Sequence, residues 1–322
     1  MKLKICALML SFMIFVLILL PLLLMKSCGG KADEFWEGYG GRYKISLYRQ
    51  GSDTVEELDL EDYVAGVVAG EMPSSFEMEA LKAQAVAART YGLSKVLRAA
   101  KSGNSDEHLK APLCDGTHCQ VYRSKEELLD LKGREWMDGG WIKIRQAVAA
   151  TAGQIMYYNG EIVEQPLFHS SSGGKTENSE DVFVSALPYL RSVESPFEED
   201  APHFTEKISV SIDSFKKKVC DKYGASGISP NTIKILERSD GGRVKQMKVG
   251  NILLTGRDIR ELFNLRSANF SIAFAGDENI VFTTHGYGHG VGMSQWGANG
   301  MAKEGYNYKE ILQHFYIGVN IK

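Results

Sequence analysis

The stretch Leu60–Tyr91, LEDYVAGVVAGEMPSSFEMEALKAQAVAARTY, leaves the chain few ways to fold. Val64, Val67 and Val68 stand seven, four and three positions before Glu71, the offsets of one helix face. The carboxyl therefore continues an apolar stripe. Pro73 pushes Met72 out of the α region and ends that helix. Ser74 and Glu77 predict a capping box for a second helix, running from Ser75 to about Lys101. Its small residues, Ala80, Ala83, Ala85, Ala87 and Ala88, let neighbours approach closely, so this helix is expected to be central and buried. Gln84 and Arg89 are its polar exceptions, and Arg89 is expected to make a structural ion pair. A carboxyl at a helix C-terminus among apolar side chains faces the negative end of the dipole and loses water, and both raise its pKa. That makes Glu71 a candidate proton donor near neutral pH. A surface glutamate on a frayed last turn has the same spacing.

The N-terminus constrains location. Lys2 and Lys4 precede an apolar run, Ile5 to Met25, broken only by Ser11 and Pro21. That length suits a helix crossing a bilayer, and the charges before it favour a cytoplasmic N-terminus. The expectation is a single-pass anchor over residues 1–26, a juxtamembrane linker over 27–41 and an extracytoplasmic region over 42–322. A cleaved signal peptide is the alternative, but no A-x-A-like site follows the run. Cys28 raises lipid attachment, against which Lys26 stands close by. Net charge is −3, with no basic tail and no long block of one sign, which argues against a nucleic-acid partner.

Further along, alternation in Tyr43–Tyr48 and Val55–Leu60 around Gln50–Thr54 predicts a hairpin. Trp136 to Ala152 predicts a helix, and Asn159-Gly160 a tight turn. Phe168 to Glu177, FHSSSGGKTE, reads as a polar glycine-rich loop entered from a strand, where amides and hydroxyls can meet a ligand; a bland flexible loop fits too. Between Pro202 and Asp277 the clearest signals are a hairpin about Asp240-Gly241-Gly242 and a short helix, Gly256 to Leu265. The C-terminal stretch has Gly305 as a helix stop and Asn307 with Glu310 as a capping box.

Two constellations could carry chemistry. His108, Cys114, His118 and Cys119 offer two imidazoles and two thiolates, the ligand types of a closed tetrahedral zinc site, although their spacing follows no standard finger. A Cys114–Cys119 disulfide is the competing reading outside the cytoplasm. Either role is structural, since four protein ligands leave no open position. His285 and His289 lie four apart, but the glycines between them argue against a helical metal pair and for positive φ or close backbone approach. Trp296 is expected in the core. No G-x-S-x-G, Walker A or H-E-x-x-H motif is present.

Two long motifs, YVAGVVAGEMPSSFEMEALKAQAVAARTY and HGYGHGVGMSQWGANGMAKEGYNYKEILQHFYIGV, closely resemble the stage II sporulation protein D family. SSSGGKTEN and PYLRSV agree with it in order and spacing, over roughly residues 40 to 322. The resemblance implies a peptidoglycan lytic transglycosylase that works during forespore engulfment on strands stripped of stem peptides. It would be anchored in the engulfing mother-cell membrane and face the intermembrane space. It also implies a complex with the sporulation proteins M and P. The family's catalytic glutamate falls on Glu71, and by similarity Ser170, Ser171, Ser172, His285, Tyr287, His289 and Gln295 would line the glycan groove. No cofactor is required for that chemistry. Some relatives carry a zinc in the loop that here holds His108, Cys114, His118 and Cys119. Relatives of the domain also include amidase enhancers, so a glycan-binding activator of a partner amidase is the alternative function. The expected fold is α+β, with the helices that carry Glu71 packed against mixed β structure.

Overall fold

The structure, a computed structural model, describes residues 43–276 and 278–322. The expected anchor and linker lie outside the described residues. Among the described residues no helix is long and apolar enough to cross a membrane.

The expected first hairpin is present: β1 (Lys44–Arg49) pairs antiparallel with β2 (Thr54–Asp59), placing Ile45 opposite Leu58. It runs straight into α1 (Leu60–Glu71), where Val64, Val67 and Val68 are buried as expected. Burial is not confined to that stripe. Tyr63, Ala65 and Gly66 are buried too, so α1 is sheathed nearly all round. Met72 adopts φ −122°, ψ 144°, the extended conformation a following proline imposes, and its N–H closes the helix on Val68.

The second helix, α2 (Met78–Ser102), starts three residues later than expected, and the Ser74–Glu77 capping box does not form. Tertiary partners take its members. The Ser74 hydroxyl accepts from the indole of Trp136 at 2.9 Å, and the Glu77 amide donates to Asn299 at 2.7 Å. The alanine face is buried as expected, and Arg89 makes the expected structural pair: it is fully buried and grips both Glu61 oxygens at 2.8 and 2.6 Å.

A short strand, β3 (Leu113–Cys114), lies parallel to β1. The helix expected from Trp136 is longer and broken. It consists of α3 (Lys125–Trp136), opened by a Ser124–Glu127 capping box, a π-helical turn Met137–Trp141, and α4 (Ile142–Ala150). Gly133 at φ 80° interrupts α3, and this break disguises the periodicity of the first segment.

β4 (Met156–Tyr158) and β5 (Glu161–Ile162) form a hairpin whose turn residues, Asn159 and Gly160, both take positive φ, as Asn-Gly predicts. β6 (Phe168–His169) enters the glycine-rich loop, which leads to a helical turn, α5 (Ser179–Val182).

Next come β7 (Thr205–Ser211), α6 (Ile212–Tyr223), and a sheet of β8 (Ile233–Arg238), β9 (Val244–Val249) and β10 (Ile252–Leu254). α7 (Gly256–Phe263), β11 (Phe270–Ala275) and β12 (Asn279–His285) follow, with β12 central between β11 and β7. These elements enclose a core of their own about Phe215, Met247, Phe270 and Phe282. The chain then returns through β13 (Met293–Ser294), α8 (Gln295–Lys303), α9 (Tyr308–Phe315) and β14 (Asn320–Ile321) to the core that α1 and α2 occupy. β13 pairs parallel with β6. The fold is α+β, as expected.

Candidate active site

Glu71 is the last residue of α1 and is only partly exposed. Its Oε1 accepts the main-chain N–H of Val121 at 2.8 Å, and the side-chain amide of Gln295 donates to its Oε2 at 3.5 Å. Burial raises its pKa above the usual carboxylate value, and these two donors only partly oppose that. Among the described residues no ion pair or hydrogen bond joins it to a cation or a second carboxylate. The arrangement therefore offers one poorly hydrated carboxyl, fit to hold a proton and to take one back.

The Val121 contact depends on two glycines. Gly66 and Gly70 lie one turn apart on α1, and the 121–123 segment runs directly over them. A Cβ on Gly66 would meet the Tyr122 ring at 2.4 Å, and one on Gly70 would meet the Val121 carbonyl at 2.9 Å. The Arg123 amide donates to the Gly66 carbonyl at 3.3 Å. Only bare backbone there lets Val121 come close enough to donate to Glu71.

Gln295 opens α8, and its position follows from the β6–β13 pairing, which sets His169 beside Ser294. The Ser170 carbonyl then accepts from the Trp296 amide at 3.0 Å, so the serine loop lies against the start of α8. Of the three serines expected along a groove, Ser170 is half-buried, whereas Ser171 and Ser172 are fully buried. The last two shape the loop from inside. The Ser172 hydroxyl meets His169 Nε2 at 2.8 Å, while Nδ1 of that ring faces the Val291 carbonyl at 3.2 Å. His169 thus carries its proton on Nδ1 and accepts at Nε2, and burial holds its pKa well below the usual imidazole value.

His289 packs against His169, with ring centroids 5.4 Å apart. Burial, then Arg243 and Arg260, push its pKa down to about 4, so both rings are neutral at physiological pH. His285 stands apart from them, at the end of β12, with Nδ1 3.3 Å from the Thr205 hydroxyl. Tyr287 is bridged to Ser171 through the backbone, and its ring is exposed beneath the guanidinium of Arg266, 5.0 Å from the centroid. The intervening glycines take positive φ as expected. Gly286 does so against the serine loop, where a Cβ would lie 2.6 Å from the Ser171 carbonyl. Trp296 packs edge-on to Phe76 at 4.8 Å, consistent with a core role.

The metal-type loop also gathers. One ligand atom from each of His108, Cys114, His118 and Cys119 lies within 4.8 Å of the others, and both cysteines are free. His108 Nδ1 lies 2.8 Å from the Ala111 carbonyl, to which it donates, leaving Nε2 free to ligate. A carbonyl that orients a metal-binding imidazole is the usual outer partner of such a ligand. This donor set fits zinc. The Cys114 thiol is held down to about 5, first by its hydrogen bond from Cys119, which favours a thiolate. Two residues beyond Cys119 comes Val121, the residue that meets Glu71.

Two participants gave no signal in the sequence. The Val121 contribution is a main-chain amide, which no residue type announces. Glu198 sits in a Glu-Glu-Asp run that reads as solvated, yet it is 1% exposed.

Comparison with known proteins adds the following. Residues 48–158 match a family model described as "Stage II sporulation protein", and residues 186–292 match a domain of unknown function. The stage II sporulation protein D of Bacillus subtilis (strain 168) is 42% identical over 279 residues, which span 86% of this chain and 78% of that protein. Its namesake from Bacillus amyloliquefaciens is 40% identical over the same shares. A protein named amidase enhancer, from Bacillus subtilis (strain 168), is 27% identical over 80% of this chain and 40% of its own length.

Proposed function

The chain belongs to the stage II sporulation protein D family, and from that premise we propose that it is a lytic transglycosylase of peptidoglycan glycan strands. The observation that carries this reading is Glu71: a single half-buried carboxyl of raised pKa, held by two neutral donors. In the proposed reaction the protonated Glu71 gives its proton to the glycosidic oxygen between N-acetylmuramic acid and N-acetylglucosamine. The bond from C1 of the muramic residue to that oxygen breaks. The Glu71 carboxylate then removes the proton of that sugar's own 6-hydroxyl, whose oxygen closes on C1. The products are a 1,6-anhydro end and a free 4-hydroxyl, and no water is consumed. One acid serves both steps, so no second carboxylate is needed.

Gln295 would orient the Glu71 carboxyl, and the exposed Tyr287 offers a face for a sugar ring. The substrate would be strands freed of stem peptides. The sporulation proteins P and M would be partners, and residues 1–26 would anchor the chain in the mother-cell membrane facing the intermembrane space. The test is mass spectrometry of digested, peptide-free strands. Anhydro ends are expected; reducing ends carrying solvent oxygen would replace this reading with a hydrolase.

The relative named amidase enhancer favours one other reading, a glycan-binding activator of an amidase. The Glu71 variant discussed below separates the two.

The loop of His108, Cys114, His118 and Cys119 would hold one structural zinc, which stiffens the segment leading to Val121. Elemental analysis of the purified chain is expected to find about one zinc per molecule, and chelation to lower the melting midpoint. Absence of zinc together with a Cys114–Cys119 disulfide would refute the assignment.

A further inference from the structure

Glu198 is the most heavily engaged buried acid near the site, and the chemistry proposed above does not use it. Its Oε2 accepts from the Ser172 amide at 3.0 Å, the Ser195 hydroxyl at 3.0 Å and the Ser294 hydroxyl at 2.5 Å. Its Oε1 accepts from the Gly174 amide at 2.7 Å. All four partners are neutral donors, which suits a carboxylate because it only accepts. Two of them belong to the serine loop, and Ser294 is the residue before Gln295. Arg243, whose charge also interacts with Glu198, is engaged with Glu177 and with the Ser172 carbonyl.

The backbone is strained to put Glu198 there. Phe197, just before it, sits at φ 60° with its side chain half exposed. A bulky aromatic in the left-handed region costs about 1 kcal/mol or more, and such a conformation persists only where its surroundings dictate it. They do so here through glycines of α8. A Cβ on Gly300 would stand 2.1 Å from the Phe197 carbonyl, and one on Gly297 would stand 2.5 Å from the Ser195 hydroxyl.

We propose that Glu198 is a positioning residue of this site: its buried carboxylate fastens the serine loop to the start of α8 and so holds Gln295 against Glu71. This rests on Glu71 and Gln295 being the reactive pair of the proposed function. A glutamine cannot replace Glu198. Each carboxylate oxygen receives a main-chain N–H, so either orientation of the amide sets its NH2 against a backbone donor.

The test is a double-mutant cycle in the full-length chain, combining Glu198→Gln with Gln295→Ala and reading kcat for anhydro-end formation alongside the melting midpoint. Each single change is expected to lower kcat by roughly tenfold to a hundredfold, the scale of a misplaced catalytic contact. The double variant should fall no further than the worse single. A purely structural Glu198 would reduce the folded fraction equally in both backgrounds. The two factors would then multiply, which overturns the proposal. If Glu198→Gln melts below the assay temperature, Ser294→Ala takes its place in the cycle, since it removes the hydroxyl that links the carboxylate to the start of α8. If the wild-type chain makes no anhydro ends, the function reading fails by itself. The same cycle is then read on the Kd for peptide-free strands, where coupling supports the positioning role and multiplication removes it.

Discussion

Replacing Glu71 by glutamine is expected to lower anhydro-end formation by about a thousandfold or more, the scale of losing a general acid that also serves as base. The same change is expected to make the protein more stable at neutral pH. Glutamine fits the site: its oxygen can still accept from Val121, and Gln295 can turn its own oxygen toward the new NH2. The stability gain follows from linkage. The Glu71 pKa is raised in the folded state, chiefly by burial, so the unfolded chain loses this proton at a lower pH than the folded chain does. Above the unfolded value, ionisation favours unfolding, and wild-type stability drops as pH rises through the folded value. The glutamine variant lacks that loss. Its advantage should be present at pH 7 and vanish in acid, below the ordinary carboxylate range, as thermal melts at several pH values will report. An unchanged rate would remove Glu71 from catalysis and leave the amidase-activator reading. An unchanged stability difference across pH would remove the account of its tuning.

Arg243→Met is expected to be the most costly single change in the Thr205–His285 region, which has its own core. Arg243 is 4% exposed, Glu177 is fully buried, and they meet at 3.2 Å. The Ser239 hydroxyl also donates to that Glu177 oxygen, at 2.8 Å. Removing the guanidinium strands a buried carboxylate, a loss of about 3–5 kcal/mol in comparable pairs. For a domain of this size that lowers the melting midpoint by roughly 10 °C. Adding Glu177→Gln should recover much of the loss, because the stranded charge goes with it. A double variant as unstable as the single would mean that packing of Arg243 against Gly290, not its charge, sets the cost; a Cβ on Gly290 would lie 2.1 Å from the guanidinium carbon.

Local signals read well where local physics decides the outcome. The Leu60–Glu71 helix and its proline stop, the Asn159-Gly160 turn, and the Asn307–Glu310 capping box with its 2.9 Å return bond all follow from neighbours in sequence. They fail where a distant group takes over. Ser74 and Glu77 had a box available and gave it up to Trp136 and Asn299. The site divides in the same way. Glu71 stands out by its offset from the valines of α1, and the gathered His108, Cys114, His118 and Cys119 by residue type alone. Val121 enters through a main-chain amide, and Glu198 through burial inside an acidic run, neither of which a pattern of side chains encodes. Ser171 and Ser172 mark the converse case: polar residues in a glycine-rich loop that turn inward, Ser172 to bond His169 and Ser171 to pair with Tyr287 through its backbone alone.

The Glu71–Gln295 contact joins residues 224 positions apart. A ribosome makes the acid first and its amide partner 224 residues later, after the β6 strand that β13 must find. A chain emerging from its N-terminus thus carries Glu71 for that whole interval without the residue that meets it. Any fragment that stops before Met293 lacks β13, α8 and Gln295 together. Completion of the site therefore waits on the Met293–Lys303 segment, and a product ended before it holds the acid without its setting.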